Sequence, residues 1–531
     1  MTNTRRNKLL EKSTREALRT GRRVYSIGTR ATESTPDDES IWRERGFCAV
    51  GRLPLQSTRL VDILSKPVYR SQLLGQFVDQ CSVTHGHENT TAWEKFLPTL
   101  AARTRSAYLA SLALSCACLS REHNDTALLR EATTVYGRAL SSLQRELFQG
   151  QGAYDDANLA ACLAMVSFQL YCNDPSMAGW AAHLNGIKSI MQLRGPHAFA
   201  AGIAHHLFLA FRFTLMLHTM YAGVPPNRNF LASETWRTVP WSLNPKSSYH
   251  ELLDVVAELP SLTASCIGLD EGTSPDTKAN LRRSVITAAW TLKHKLKHQW
   301  YENLPLEVRS PTIVESALSV SSTVDSASLG QSYRFVDTNA CSTLLLYWTC
   351  LLLVHTALEL NYLALQGVES SYLTPANSAA LRCSTCYLRF ALSCDITLDG
   401  CRCGWLSRQS VYDISDLPVQ PDECAILDPA WDICMALEYC MDQGAKSWAS
   451  AALIWPMNWT LRVLTSRWPA TEPQIEWWHT AIEHFHLHGH FSTIPFWNFF
   501  LKVSGRTPGN LLQFDKIRAN GVTSIANTTR E

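Results

Sequence analysis

Charged residues are scarce in this chain of 531 residues. Asp, Glu, Lys and Arg make up 18% of the sequence, against about a quarter in an average globular protein, whereas hydrophobic residues make up 46%. The formal net charge is only +1, so no overall field favours binding to nucleic acid or to anionic membranes. We therefore expect a large buried interior, and any basic contact surface must be local.

The motifs of common enzyme classes are also missing. The sequence contains no phosphate-binding glycine loop, no G-x-S-x-G elbow and no G-x-G-x-x-G after a strand. Two stretches begin like the magnesium motifs of terpene cyclases, but "YDDANLA" lacks the acid at its fifth position and "CNDPSMAGWA" lacks the required serine and glutamate. Asp155 and Asp156 are expected to begin a helix instead, where the dipole favours carboxylates. We predict that the chain is not an enzyme, with an all-α isoprenoid-type enzyme as the alternative.

Neither a secretion signal nor a membrane span is evident. The first 26 residues contain no apolar core of signal-peptide length, so the 17 cysteines are expected to be reduced and mostly buried. The longest apolar run, residues 341–360, is interrupted at His355 and is shorter than the ~20 residues that cross a bilayer. We predict a buried core helix there and no membrane partner.

Basic residues are instead concentrated at the N-terminus. Residues 1–25 contain only two acids, Glu11 and Glu16, against eight bases, which are Arg5, Arg6, Lys8, Lys12, Arg15, Arg19, Arg22 and Arg23. Such a run is usually a solvated arm, and it also suits nuclear import or contact with phosphates. The candidate residues for that role are Arg5, Arg6, Lys8, Arg22 and Arg23. A mitochondrial presequence is the weaker alternative.

Two clusters of potential metal ligands occur near the C-terminus. Residues 382–403 contain five cysteines, and a zinc site needs four ligands that converge on one ion. Cys383 and Cys386 have the C-x-x-C spacing, but Cys401 and Cys403 are only two positions apart, which favours core packing over zinc. The histidines between His479 and His490 lack the H-E-x-x-H order. We nominate no catalytic, cofactor-binding or metal-ligating residue and expect no cofactor.

Helical periodicity dominates from about residue 104 onward. Helices are predicted over 104–121 and then after an N-cap at Asn124, where apolar residues recur at three- or four-residue intervals from Leu128 to Leu147. Residues 179–196, "GWAAHLNGIKSIMQLRGP", place Trp180, Leu184, Ile187 and Met191 on one side and end at Gly195 and Pro196. Further helices are predicted at 249–259, 277–300, 338–366, 375–394, 429–443, 446–466 and 472–488, with a kink at Pro456. No alternation indicates a sheet.

These patterns predict an all-α chain, an irregular array of many helices. We divide it into a basic arm with a flexible linker (1–45), an irregular lead-in with short helices (46–100) and the first half of a helical domain (101–310). A Ser-rich loop (311–335), the second half of the domain (336–510) and a tail (511–531) follow.

The stretch "GWAAHLNGIKSIMQLRGP" resembles a segment in the C-terminal regulatory domain of fungal zinc-cluster transcription factors. There a tryptophan, a histidine–leucine pair and a glycine precede a leucine-rich turn that ends in Arg-Gly-Pro. The pieces "WEKFLPTLAARTRSAYLASLALSCACLS", "ATTVYGRALSSLQREL", "ALEYCMDQGAKSWASAALIWPMNWTLRVL" and "EWWHTAIEHFHLHGHF" are similar to the same domain in the same order. The likeness spans about residues 70–500 and implies an irregular α-helical fold.

Members of that family read DNA through a six-cysteine zinc cluster at the N-terminus. Here only Cys48 precedes residue 81, so no zinc-ligand or DNA-contact residue can be transferred, and sequence-specific DNA binding stays open. The gene either encodes a co-regulator, which acts through the transcription machinery or another DNA-binding regulator, or has a missed upstream exon with the cluster.

The resemblance implies a nuclear transcriptional regulator, and many relatives control secondary-metabolite gene clusters. A helical protein-interaction scaffold is another alternative. Homodimerisation is a family habit, although residues 1–70 show no sustained heptad run.

Overall fold

The computed structural model describes residues 67–81, 93–122, 125–150, 152–171, 178–221, 230–267, 274–316, 330–366 and 412–442, with short helical pieces at 455–457, 459–460 and 463–464. Within these ranges lie fourteen α-helices and one sheet of two short strands. The predicted all-α fold class, an irregular helical array, is therefore confirmed.

Eight helices precede residue 240. They are α1 (Pro67–Cys81), α2 (Leu97–Ala101), α3 (Arg105–Glu122), α4 (Thr126–Phe148), α5 (Asp156–Tyr171), α6 (Ala178–Arg194), α7 (Gly202–Tyr221) and α8 (Glu234–Thr238). Short 3-10 turns at Trp93–Phe96, Gly152–Tyr154, Pro196–Phe199, Phe230–Ala232 and Val239–Trp241 link several of them.

Six helices follow, and they surround the small sheet. They are α9 (Ser248–Val256), α10 (Leu259–Ile267), α11 (Pro275–His294), α12 (Leu306–Arg309), α13 (Thr338–Leu365) and α14 (Glu423–Asp442). Strands β1 (Thr312–Glu315) and β2 (Gln331–Arg334) pair antiparallel between α12 and α13. A π-helical turn, Lys295–Trp300, continues α11.

Buried apolar side chains form two clusters. One is built by α1 to α8, and the other by α9 to α14 together with the pieces at 455–464. Helix α7 contributes to both, because Leu215 belongs to the first cluster and Met216 to the second. The 28-residue helix α13 packs against α9, α11 and α14 and is the central element of the second cluster.

Helix α13 is long and apolar enough to cross a membrane, and it passes that test alone among the described helices. However, 94% of its most apolar window is buried inside the chain. His355 and Glu359 interrupt the apolar run and are also buried. Such burial on all sides is typical of a core helix, so the prediction for residues 341–360 is confirmed.

The N-cap prediction at Asn124 is wrong by one residue. The Asp125 carboxylate accepts hydrogen bonds from the backbone N–H groups of Ala127 (2.9 Å) and Leu128 (3.0 Å), which identifies Asp125 as the N-cap of α4. The apolar face of this helix follows the predicted spacing, since every predicted position from Leu128 to Leu143 is buried and Leu147 is partly buried.

The expectation of no strand is also wrong. Strands β1 and β2 occupy the two ends of the predicted Ser-rich loop, 311–335, and Ile313 pairs with Tyr333. The strands are only four residues long, and β1 is mostly exposed. Alternation of apolar and polar residues is therefore too short and too weak to indicate them.

Three predicted helix boundaries need correction. The stretch 249–259 contains the end of α9 at Val256 and the start of α10 at Leu259. The stretch 277–300 begins two residues earlier, at Pro275, and its last turn is π-helical. Helix α14 begins at Glu423 rather than at 429 and contains Pro429. The predicted helices 375–394 and 472–488 lie outside the described residues, and 446–466 is described only in part.

Candidate functional site

The five candidate residues of the basic arm, Arg5, Arg6, Lys8, Arg22 and Arg23, lie outside the described residues. The same holds for the cysteines between Cys383 and Cys403 and for the histidines between His479 and His490. Their suggested roles stay predictions. Among the seven cysteines whose side chains the structure describes, six are buried and Cys118 is partly buried, and burial raises the pKa of Cys116 and of Cys162 to about 12.

The two aspartates of "YDDANLA" are held by a helix start and by arginines. The Asp155 carboxylate accepts the N–H of Ala157 at 2.9 Å and lies 3.0 Å from the Arg103 guanidinium. The Asp156 carboxylate lies 2.5 Å from Arg194. Asp155 and Asp156 therefore lie at the start of a helix, as predicted from the sequence. In the described parts of the chain no three His, Cys, Asp or Glu side chains are placed to hold a metal ion.

Helix α6 contains the stretch that carries the resemblance, and its first turn packs very closely on α5. A Cβ atom built on Gly179 would lie 2.7 Å from Oε1 of Gln169 and 2.8 Å from its Cδ. Gln169 is itself held in place, because its amide donates a hydrogen bond to the Tyr136 hydroxyl at 2.7 Å. Glycine at 179 thus lets the two helices approach, and Trp180 beside it is buried.

A three-residue hydrogen-bonded chain joins α4, α5 and α6. The Tyr136 hydroxyl receives the Gln169 amide and lies 2.5 Å from Nε2 of His183. The Tyr136 hydroxyl has two lone pairs and one proton, so beside the Gln169 bond it either donates to a bare Nε2 or accepts from Nε2–H of His183. Desolvation lowers the pKa of His183 to about 4. His183, which is partly buried, is therefore uncharged at neutral pH.

Helix α6 ends at the Arg-Gly-Pro triplet, residues 194–196. Arg194 reaches back to Asp156 on α5, and its guanidinium lies 5.0 Å from the ring centre of Phe199. Gly195 has φ +78°, a left-handed conformation that favours glycine, and its N–H donates to the Met191 carbonyl at 2.9 Å. Pro196 then begins a 3-10 turn. The predicted stop at Gly195 and Pro196 is confirmed.

We expect Gly179→Ala to lower the free energy of unfolding by about 1–3 kcal/mol, since the added methyl group must displace the anchored Gln169 amide. The matched control is Gly186→Ala in the same helix, where a Cβ atom meets nothing within 4 Å. That substitution should raise stability by about 0.5–1 kcal/mol, because alanine restricts the unfolded chain. Urea unfolding of both variants measures the difference, and equal stability would contradict the close approach.

A second buried polar group lies at the junction of α7, α8 and α9. Arg212, which is 3% exposed, donates to the Asp254 carboxylate at 2.5 Å and to the carbonyl of His250 at 3.0 Å. Lys246 donates to the other oxygen of Asp254 at 2.5 Å and to the Arg237 carbonyl at 2.6 Å. One carboxylate therefore balances two cations in a largely dry environment.

Aromatic rings enclose this charged group. The Arg212 guanidinium lies 5.7 Å from the ring centre of Phe208 and 5.4 Å from that of Trp241, and the Lys246 ammonium lies 5.2 Å from Trp241. Burial lowers the pKa of Arg212, whereas Asp254 opposes that shift. Because both effects act on a group with a very high intrinsic pKa, Arg212 stays charged.

Sequence reasoning missed both buried polar groups. Arg212 left a signal, because it is the only Lys, Arg, Asp or Glu residue within the apolar stretch 202–221, and a charge in such a stretch needs a buried partner. The pairing of Tyr136 with His183 left no comparable signal, since 47 positions separate the two residues. Only the folded arrangement of α4 and α6 brings them together.

These features define a helical domain whose polar side chains bind its own helices to one another. Residues 72–394 match the fungal specific transcription factor domain family, more than half of the chain. The chain belongs to this family, so the resemblance drawn from "GWAAHLNGIKSIMQLRGP" is confirmed.

Comparison with individual proteins gives one partial match. Over 135 residues the chain is 29% identical to an uncharacterized protein of Emericella nidulans, a match that covers 25% of this chain and 26% of that protein. The chain thus spans about a quarter of the length of the curated relative that it matches. No solved structure matches the chain.

Proposed function

We propose that this protein is a nuclear regulator of transcription that acts through its helical domain. The observation that carries the proposal is the family match over residues 72–394, which includes the whole of α3 to α13. The predicted non-enzymatic role forms part of the proposal and rests on the same family match.

The helical domain is proposed to act through partners, either the transcription machinery or another DNA-binding regulator. Direct recognition of DNA depends on a zinc cluster, and only Cys48 precedes residue 81 in the sequence. Control of a secondary-metabolite gene cluster is the finer proposal, and it rests on the habit of the family. The basic residues Arg5, Arg6, Lys8, Arg22 and Arg23 are the proposed import segment.

A reporter assay tests the central proposal. The full chain is fused to a heterologous DNA-binding domain and expressed in a fungal host with a matching reporter gene. We expect the fusion to raise or lower reporter output several-fold relative to the DNA-binding domain alone, because the helical domain should recruit regulatory partners. Unchanged output from a well-expressed, nuclear fusion would contradict the proposal.

Two variants sharpen the assay. Gly186→Ala should leave reporter output unchanged, because the added methyl group meets no neighbour. Asp254→Ala should reduce both the amount of folded protein and the change in reporter output that the wild-type fusion causes, because it removes the carboxylate between Arg212 and Lys246. A fusion that is excluded from nuclei under all conditions would instead favour the helical scaffold.

A further inference from the structure

A carboxylate among tyrosine rings lies where α14 meets the hairpin. The Tyr333 hydroxyl donates a hydrogen bond to Asp432 at 2.7 Å. The negative charge of Asp432 also contributes to the raised pKa values of Tyr301 and Tyr347, whose rings stack with their centres 4.5 Å apart. Asp432 and the three tyrosines therefore share one neighbourhood, although they come from four different elements.

This carboxylate has no cationic partner among the described residues. Burial, together with the charge of Asp428 one helical turn away, raises the pKa of Asp432 to about 6, although the hydrogen bond from Tyr333 opposes this shift. No ion pair of Asp428 or Asp432 occurs within the described ranges. Arg309 lies in the same neighbourhood, since its charge lowers the pKa of Tyr301 and its guanidinium donates to the Glu302 backbone carbonyl at 3.2 Å.

The surroundings add exposed acids and exposed apolar side chains. Glu302 and Glu307 are exposed on the segment before β1, and the charge of Glu302 also contributes to the raised pKa of Tyr347. Leu306 is 66% exposed and Ile313, which pairs with Tyr333, is 56% exposed. We name the acidic–aromatic surface by its residues, Tyr301, Glu302, Leu306, Glu307, Ile313, Tyr333, Asp428 and Asp432.

Carboxylates beside aromatic rings bind Arg and Lys side chains, through charge-assisted hydrogen bonds and through contacts with the ring faces. Four acids against Arg309 and His298, whose Nδ1 lies 3.0 Å from the Glu302 carboxylate, give this surface an excess of negative charge. Its complement within the same chain is the basic arm, residues 5–23, which carries eight bases against two acids. Leu9, Leu10 and Leu18 of the arm could meet Leu306 and Ile313.

We propose that residues 5–23 dock on the acidic–aromatic surface of the same chain. Residues 24–66 connect the arm to α1, and 43 residues reach at most about 150 Å, so the connection permits the contact. A tethered segment meets its site at an effective concentration of about millimolar, so weak single contacts suffice. While docked, the arm is withheld from an import receptor or from phosphates, a consequence that rests on the proposed function.

Cleavage of the arm by trypsin in the full-length chain tests docking. All eight Lys and Arg residues of the arm are trypsin sites, and docking should protect them. We expect the double variant Asp428→Asn/Asp432→Asn to be cleaved at these sites about ten times faster than the wild type at low salt. In about 0.5 M sodium chloride the wild type should be cleaved equally fast, because the Debye length falls to about 4 Å and the charges no longer attract one another. Equal rates for wild type and variant at low salt would overturn the proposal.

The matched control is Glu234→Gln/Glu251→Gln, which removes two exposed acids from α8 and α9. It should leave the cleavage rate at the wild-type value, and an equal acceleration would show that only total charge matters. The double asparagine variant should also keep the wild-type unfolding midpoint within a few degrees. A large loss of stability would overturn docking as the cause of protection.

Carbodiimide coupling then locates the docked arm. Lys8 and Lys12 should form amide links to acids of the acidic–aromatic surface within one chain, and mixing with isotope-labelled chains separates these from links between two chains. Links to other acids, or links only between chains, would overturn the proposal. In cells the double asparagine variant should raise the nuclear fraction. If cleavage changes while the nuclear fraction does not, docking stands and the import role of the arm fails.

Discussion

Asp254→Ala is expected to lower the free energy of unfolding by about 3–5 kcal/mol, the usual cost of breaking a buried ion pair by removing one partner. Arg212 is 3% exposed and Lys246 is 18% exposed, so neither cation gains enough water to replace the lost carboxylate. Arg212 keeps its bond to the carbonyl of His250, which balances no charge. Chemical denaturation at neutral pH measures the loss.

Asp416→Ala is the matched control for this prediction. Asp416 also pairs with an arginine, Arg283, at 2.5 Å, but the aspartate is 65% exposed and the arginine 25%. Solvent screens such a pair, so its removal should cost at most about 1 kcal/mol. Similar losses for Asp254→Ala and Asp416→Ala would contradict the view that burial makes the Arg212 group important.

Helices were predictable wherever buried apolar residues recur at regular helical spacing along the sequence. In α4 one face is buried and the other is exposed, so Leu128, Ala132 and Val135 recur at helical spacing. In α3 and α13 small or apolar residues occur on all sides of the helix, so no periodic face is present. The length of these apolar stretches predicted the two helices instead. The family-specific glycine and proline after Arg194 also fixed the end of α6.

Side-chain partnerships and short elements were not predictable in the same way. The N-cap differed by one position because Asn124 and Asp125 both have capping side chains, and backbone geometry decides between them. No proline or glycine within 249–259 indicates the break after Val256, and Pro260, just beyond that stretch, lies in the first turn of α10. The contact of Gly179 with Gln169 depends on the distance between two helices, which a single sequence does not encode locally.

The partners of the buried polar groups were not predictable from the sequence either. A sequence can indicate that a buried charge such as Arg212 needs a partner, but Asp254 lies 42 positions away, and other acids are available in between. Likewise the acidic–aromatic surface joins Tyr301, Tyr333 and Asp432 across the segment 317–329 and α13. Each residue alone is ordinary, and their shared neighbourhood arises only when α14 packs on β2.

Phe208→Ala should cause a loss of similar size to Asp254→Ala, about 3–5 kcal/mol, by opening a cavity among side chains that are already closely packed. Phe208 is fully buried. Its ring centre lies 5.9 Å from those of Phe199 and Trp236, and its face meets the Arg212 guanidinium. Removing the ring therefore weakens apolar packing and also the cover over the buried charges.

The exposed Phe148→Ala substitution separates this effect from the general loss of an aromatic ring. Phe148 is 46% exposed at the end of α4, and surface changes of this kind usually alter stability by about 0.5 kcal/mol or less. In the reporter fusion we expect Phe208→Ala to reduce both folded protein and output, whereas Phe148→Ala should preserve both. Full output from a Phe208→Ala fusion with an unchanged unfolding midpoint would mean that close packing at the junction of α7, α8 and α9 is needed neither for folding nor for regulation. Regulation would then have to depend on the second cluster around α13, where the acidic–aromatic surface lies.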